Sequence, residues 1–233
     1  MLLTESLCGL FRTSSSSSSS SFSSSSSSSF SPSCPASWFS FFKSPVNQPD
    51  KKYGATPLYY ACQRGNVCEV RRLLRSVQAN VNSIALCSGG AHMIVDDSKV
   101  PSALYRAPLH IACARGHLEV VRELLAHPHI NINLLVNNFT PLHAAIANGQ
   151  LEVVRELLAH PRINVNVQDL IGDTPLNLCC RLGAVRALQE LCLHPNTNFN
   201  LANHEGRAPF VQALAYGEIE AATALLQYLE DEE

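Results

Sequence analysis

The feature that most constrains this chain is a proline that returns on a near-fixed period. Pro57-Leu58, Pro108-Leu109, Pro141-Leu142 and Pro175-Leu176 are followed by a fifth, degraded copy at Pro209-Phe210, and the prolines stand 51, 33, 34 and 34 residues apart. Eight residues after each of them comes a glycine: Gly65, Gly116, Gly149, Gly183 and Gly217. Ten residues after each the position is aliphatic, as Val67, Leu118, Leu151, Val185 and Ile219. Sixteen and seventeen residues on stand Leu73-Leu74, Leu124-Leu125, Leu157-Leu158, Leu191-Cys192 and Leu225-Leu226. A period of this size points to a stack of like units, each too small to close a core alone.

Each recurring residue has a physical reason. Proline pre-sets φ and needs no donor, so it suits the first turn of a helix. Thr56, Thr140 and Thr174 precede three of the prolines and can cap those helices, whereas Ala107 and Ala208 lack the capping oxygen. The glycine ends the helix by taking the left-handed conformation. A second helix follows, with apolar residues at helical spacing and Arg/Glu facing water, as in Leu118-Glu119-Val120-Val121-Arg122-Glu123-Leu124-Leu125. His127-Pro128, His160-Pro161 and His194-Pro195 stop it, with the histidines placed to favour the helix dipole. Asn131-Ile132-Asn133, Asn164-Val165-Asn166 and Asn198-Phe199-Asn200 then lead into turns. At the turn position that wants positive φ stand Gly54, Asn138, Gly172 and Gly206.

This order of turn, Thr-Pro-Leu-His, short helix, glycine and Leu-Glu-Val-Val-Arg-Glu-Leu-Leu resembles the ankyrin repeat. The likeness is close at Ala107-Pro108-Leu109-His110 and Thr140-Pro141-Leu142-His143, and looser in the first, fourth and fifth copies. It implies an all-α solenoid of about five helix-turn-helix repeats, near 53–82, 103–133, 134–166, 167–200 and 201–230, with turns projecting from one edge. It also implies that His110 and His143 hydrogen-bond neighbouring turns, and that Asn133, Asn166 and Asn200 match turn asparagines that can be hydroxylated in the family. Two departures stand out. An insertion near 83–102, with Gly89-Gly90, Asp96-Asp97 and Pro101, reads as a long loop, and Tyr105 in the turn of the second repeat suggests that the insertion remodels it. At the other end Glu218, Glu220, Thr223 and Gln227, with the acidic run Glu230-Asp231-Glu232-Glu233, suggest the polar face of a terminal cap.

Residues 1–50 have a different composition. Sixteen of the eighteen residues 14–31 are serine, and the segment's only charges are Glu5, Arg12, Lys43 and Asp50. Such a chain buries too little apolar surface to offset its backbone entropy, so a disordered Ser-rich N-terminal tail is expected, with the repeat domain spanning 51–233. The same Ser-rich, acid-poor composition also suits a transit peptide, the alternative to a cytoplasmic location being a plastid or other organelle. A secretory signal fits less well, because no basic region precedes the short apolar run and Glu5 interrupts it. Trp38, Phe39, Phe41 and Phe42 suit a docking motif or part of a targeting signal. No apolar run reaches the roughly 18 residues that a spanning helix needs. Seventeen Lys+Arg against nineteen Asp+Glu leave a net charge of −2, which argues against a chain-wide grip on nucleic acid.

No reaction chemistry is legible. Of the nine cysteines, Cys62, Cys113 and Cys180 share one position of the first helix. Stacked helices lie about 8–10 Å apart, beyond the roughly 7 Å limit for a disulfide, so these read as small core residues in a reducing compartment. Metal spacing, a Walker loop, a nucleotide fingerprint and a nucleophile elbow are all missing, so no cofactor, metal or catalytic residue is expected. The resemblance implies a protein partner held by the turn tips and the exposed side of the first helices. Carried over by position, the tip candidates are Tyr105, Arg106, Asn137, Phe139, Leu170, Ile171, Asp173, His204, Glu205 and Arg207. On the first helices they are Gln63, Arg64, Arg115, Asn148, Leu182 and Tyr216. Tyr105, Phe139, Leu170, Ile171 and Tyr216 have the chemistry of binding anchors. The expectation is a monomeric, non-enzymatic adaptor or scaffold. The alternatives are the recognition arm of an enzyme acting in trans and an organelle-targeted regulatory factor.

Overall fold

A computed structural model describes residues 47–51, 53–76, 79–87 and 104–230. The serine tract, the aromatic cluster at 38–42, the interior of the insertion and residues 231–233 lie outside it. The described residues form five helix pairs: α1 (Pro57–Arg64) with α2 (Val67–Leu74), α3 (Pro108–Arg115) with α4 (Leu118–Leu125), α5 (Pro141–Ala147) with α6 (Leu151–Leu158), α7 (Pro175–Leu182) with α8 (Val185–Cys192), and α9 (Pro209–Tyr216) with α10 (Ile219–Glu230). Each first helix starts at the recurring proline. Thr56, Thr140 and Thr174 cap three of them by accepting from the amides of Tyr59, His143 and Asn177, while Ala107 and Ala208 supply no such bond. Left-handed Gly65, Gly116, Gly183 and Gly217 close four of these helices, and α5 ends one residue earlier, at Asn148.

The pairs stack in two layers, α1-α3-α5-α7-α9 and α2-α4-α6-α8-α10. A continuous core runs between the layers, built from Leu58, Leu109, Leu142 and Leu176 of the first helices and Leu73, Leu124, Leu157, Leu191 and Leu225 of the second. Cys62, Cys113, Cys179 and Cys180 are buried free thiols within it. Burial pushes the thiols of Cys62 and Cys113 upward and that of Cys180 up to about 12, the chemistry of inert packing residues.

Three polar ladders join successive repeats. In the first, Asn133 donates from Nδ2 to the carbonyl of Arg162 at 2.8 Å and accepts from the amide of Asn164 at 2.8 Å. Asn82 does the same to His129 and Asn131, and Asn166 to Asn196 and Asn198. In the second, His110 Nε2–H donates to the carbonyl of Phe139 at 3.0 Å, His143 to that of Asp173 at 3.3 Å, and Asn177 takes over the same role toward Arg207 at 3.0 Å. The third runs over the exposed side of the second helices, through Arg71–Glu123, Arg122–Glu156 and Arg155–Glu190.

Three expectations are corrected. The insertion is not loop at its start: β1 (Ala85–Cys87) lies within it and pairs antiparallel with β2 (Leu104–Arg106), just past its end, with Leu86 opposite Tyr105. This strand pair takes the place of the glycine turn, the remodelling expected at Tyr105. The Nδ1 atoms of His127, His160 and His194 do not turn back to their helix ends: they accept from the amides of His129, Arg162 and Asn196. Burial, and then the neighbouring His129 and Arg162 side chains respectively, hold His127 and His160 below the usual histidine range. Finally, the fifth repeat is a polar cap only in part: Glu220, Thr223 and Gln227 are exposed as expected, but so are Val211, Leu214, Tyr216, Ile219, Leu226 and Leu229.

Candidate functional site

The turns that open the fourth and fifth repeats are each built by one residue. Asp169 Oδ1 accepts from the amides of Ile171 at 2.9 Å and Asp173 at 2.8 Å, which bends the chain so that Leu170 and Ile171 stand at the tip. Asn203 Oδ1 repeats this with the amides of Glu205 and Arg207, both at 3.0 Å. Burial raises Asp169 above the usual carboxylate range. In the third repeat Asn137 and Asn138 both adopt positive φ, at 53° and 59°, between the bridged residues Val136 and Phe139. This is the geometry of a tight hairpin turn whose twist suits flanking extended chain.

These turns sort the expected binding residues into two groups. Asn137, Leu170, Ile171, His204 and Glu205 are exposed at the tips, and Arg64, Arg115, Leu182 and Tyr216 are exposed on the first helices. Asp173 and Arg106 are corrections, since both side chains are buried. Asp173 is held by Arg181 Nε at 2.9 Å and Asn203 Nδ2 at 2.9 Å, so its charge is consumed inside the stack. Arg106 ends β2, where the hairpin turns it in. Phe139 is half-buried, edge-on to His143 with ring centroids 5.5 Å apart, and Asn148 turns back to the Ala144 carbonyl at 2.7 Å. Gln63 and Arg207 are half-exposed, and Tyr105 enters only through its backbone in β2. Beside the turn of the third repeat an exposed residue was missed: Leu135, just before Asn137-Asn138. Its signal was present, as one of three successive apolar residues ahead of a two-asparagine turn.

The surviving residues change chemistry along the stack. At the last position of the first helix, or the cap beside it, the sequence runs Arg64, Arg115, Asn148, Leu182 and Tyr216, from cationic to apolar. Leu170 and Ile171 add apolar surface at the tip beside the fourth repeat. A depression of about 350 Å³ lies elsewhere, on the second-helix layer between α2 and α4, where Arg71 and Glu123 pair with each other. Among the described residues no group of three or more His, Cys, Asp or Glu could hold a metal, and no helix is long and apolar enough to cross a membrane.

The ankyrin repeat family model matches residues 53–85, and the model of three ankyrin repeats in tandem matches residues 81–169. Together they run through 53–169, half of the 233 residues. The chain belongs to the ankyrin repeat family. Its fourth and fifth ankyrin repeats fall outside both matches yet fold as the same helix pair, which fits their looser motifs. Among curated proteins, alpha-latrotoxin-Lg1a of Latrodectus geometricus is 38% identical over 88 residues, 38% of this chain. The chain spans only 5% of the length of that relative. Ankyrin repeats are in general protein–protein interaction modules, and the ladders, buried histidines and buried thiols of this stack are structural parts of such a module.

Proposed function

We propose that this protein is a non-catalytic adaptor or scaffold that holds a protein partner across its turn tips and first helices. The observation that carries the reading is the change along that surface from Arg64 and Arg115 to Leu182, Tyr216, Leu170 and Ile171. A partner segment that fits it carries carboxylates opposite the first two repeats and large apolar side chains opposite the last two. Apolar anchors supply most of the affinity, and the arginines set orientation and association rate. The free thiols among the described residues support a reducing compartment, and we place the protein in the cytoplasm.

The test compares the full chain with Leu170→Asp/Ile171→Asp and with Arg64→Glu/Arg115→Glu. Phe139 is left alone, because changing it would also remove its packing on His143. Proteins captured by the wild type are expected to bind the apolar pair at least ten-fold more weakly. The charge-reversed pair should mainly slow association and flatten its salt dependence. Binding of the same proteins unaltered in both variants, with helicity intact, would remove this surface from consideration.

A further inference from the structure

The two ends of the stack differ in a way that assigns the downstream end a partner. Two positions of the first helix are covered by the next repeat wherever there is one. At the second residue after the proline, Tyr59, His110, His143 and Asn177 are at most 3% exposed; at the fifth, Cys62, Cys113, Ile146 and Cys180 are at most 2% exposed. In α9 the same positions hold Val211 and Leu214, which are 49% and 56% exposed. Six of the twelve exposed large apolar residues described lie in α9 and α10. The fifth repeat thus keeps the side chains of an internal interface with nothing from the described residues against them.

Few described charges lie near that face. α9 contains no charged residue. The Glu218 carboxylate lies over Gly183 of the preceding repeat, and Glu205 pairs with Arg207 at the turn. Glu220 is the exposed charge on α10 whose side chain is described.

Among the described residues the upstream end is polar. There Asp50 accepts from the hydroxyl of Tyr60 and the amides of Tyr53 and Ala55, and α1 and α2 expose no large apolar residue, Ile84 beyond them being the first that is exposed. Head-to-tail growth would press the Val211–Leu214 face onto that polar network. The apolar surface that suits this face is its own counterpart on another molecule. A two-fold axis between the α9 helices closes the contact, and it brings no charges together along α9.

We propose that two copies of this chain associate tail to tail through Val211, Leu214 and Leu226 of their fifth repeats, extending the repeat-on-repeat interface across a two-fold axis. This departs from the monomer that the sequence suggests. Helices of 8 and 12 residues make an end face of roughly 18 by 20 Å, a small interface, so the association is weak. The turn tips and the exposed side of the first helices of both copies stay open.

Sedimentation equilibrium of the full chain, reduced throughout to exclude disulfide dimers, tests this between about 1 and 300 μM. The expected result is a monomer–dimer equilibrium that Leu214→Asp weakens at least ten-fold. Leu135→Asp, at a turn tip, should leave it unchanged. If Leu214→Asp loses helicity, the milder Leu214→Ser carries the comparison, with a loss of at least three-fold expected. A wild type monomeric throughout, open-ended growth, a dimer indifferent to substitution at Leu214, or one dissolved by Leu135→Asp would each overturn the proposal.

Discussion

His143 makes the stack sensitive to acid, and the fourth repeat shows how to remove that sensitivity without losing a bond. Nε2–H of His143 donates to the Asp173 carbonyl, while Nδ1 accepts from the Thr140 hydroxyl at 2.8 Å. Both nitrogens thus suit the neutral ring, and a proton on Nδ1 would face the Thr140 amide, which donates to it at 3.4 Å and cannot reverse. Burial pushes His143 down to about 4, against the partial opposition of its bond to Asp173, and burial lowers His110 to about 4 in the same way. Arg181 and Arg106 add smaller repulsions in the same direction.

An unfolded histidine takes up its proton near pH 6.5, so the native state loses stability as pH falls from there toward 4 and keeps it all above. At pH 5 the loss is about 2 kcal/mol per histidine relative to pH 8. In the fourth repeat Asn177 makes the equivalent pair of bonds, donating to the Arg207 carbonyl and accepting from Thr174 Oγ1 at 2.7 Å. His143→Asn should therefore keep the joint between repeats while shrinking the difference in stability between pH 8 and pH 5 by about 2 kcal/mol. Urea unfolding followed by circular dichroism at the two pH values reads this directly. Carboxylates cancel between wild type and variant. An unchanged difference would refute the reasoning, and so would a loss confined to pH 8.

Other outcomes follow from the same geometry. Asn133→Ala deletes two bonds to the next repeat and should cost about 1–3 kcal/mol, whereas Asn200→Ala, past the last rung, should cost almost nothing in the same urea experiment. Gly172 and Gly206 hold the same turn position at φ 82° and 75°. An added Cβ at Gly172 would meet the His204 backbone nitrogen at 2.6 Å, while one at Gly206 meets nothing within 4 Å. Gly206→Ala should therefore cost about 1 kcal/mol, the conformational penalty alone, and Gly172→Ala distinctly more, read as midpoints of thermal unfolding. Among the six cysteines whose side chains are described, Cys68 is exposed and should be alkylated first in the native protein; peptide mapping that finds Cys113 or Cys180 modified as fast would contradict the packing.

The helix pairs were legible because their signals are local. A proline, a glycine eight residues on and a threonine before the proline each act within one turn of helix. What crosses between repeats was harder to read. The Asn-x-Asn pairs were visible as turn leads, but their bonds reach residues about thirty positions away, so the ladder emerged only with the stack. Asp173 was misjudged for the same reason: a charged residue beside exposed Ile171 reads as surface until Arg181 and Asn203 are seen to enclose it. Arg106 depended on strand pairing across an insertion, where sequence offered only glycines, acids and a proline. The fifth repeat misled through its acidic residues, since Glu218 turns upstream and leaves Leu214 uncovered.

The central claim is that a protein partner lies along the turn tips and first helices, and hydrogen exchange on the complex tests it most directly. The account predicts slowed exchange on binding at 135–139, 170–173 and 204–207 and in the exposed first-helix ends near Arg64, Arg115 and Leu182. Protection centred instead on α4, α6 and α8, with those segments unchanged, would contradict it.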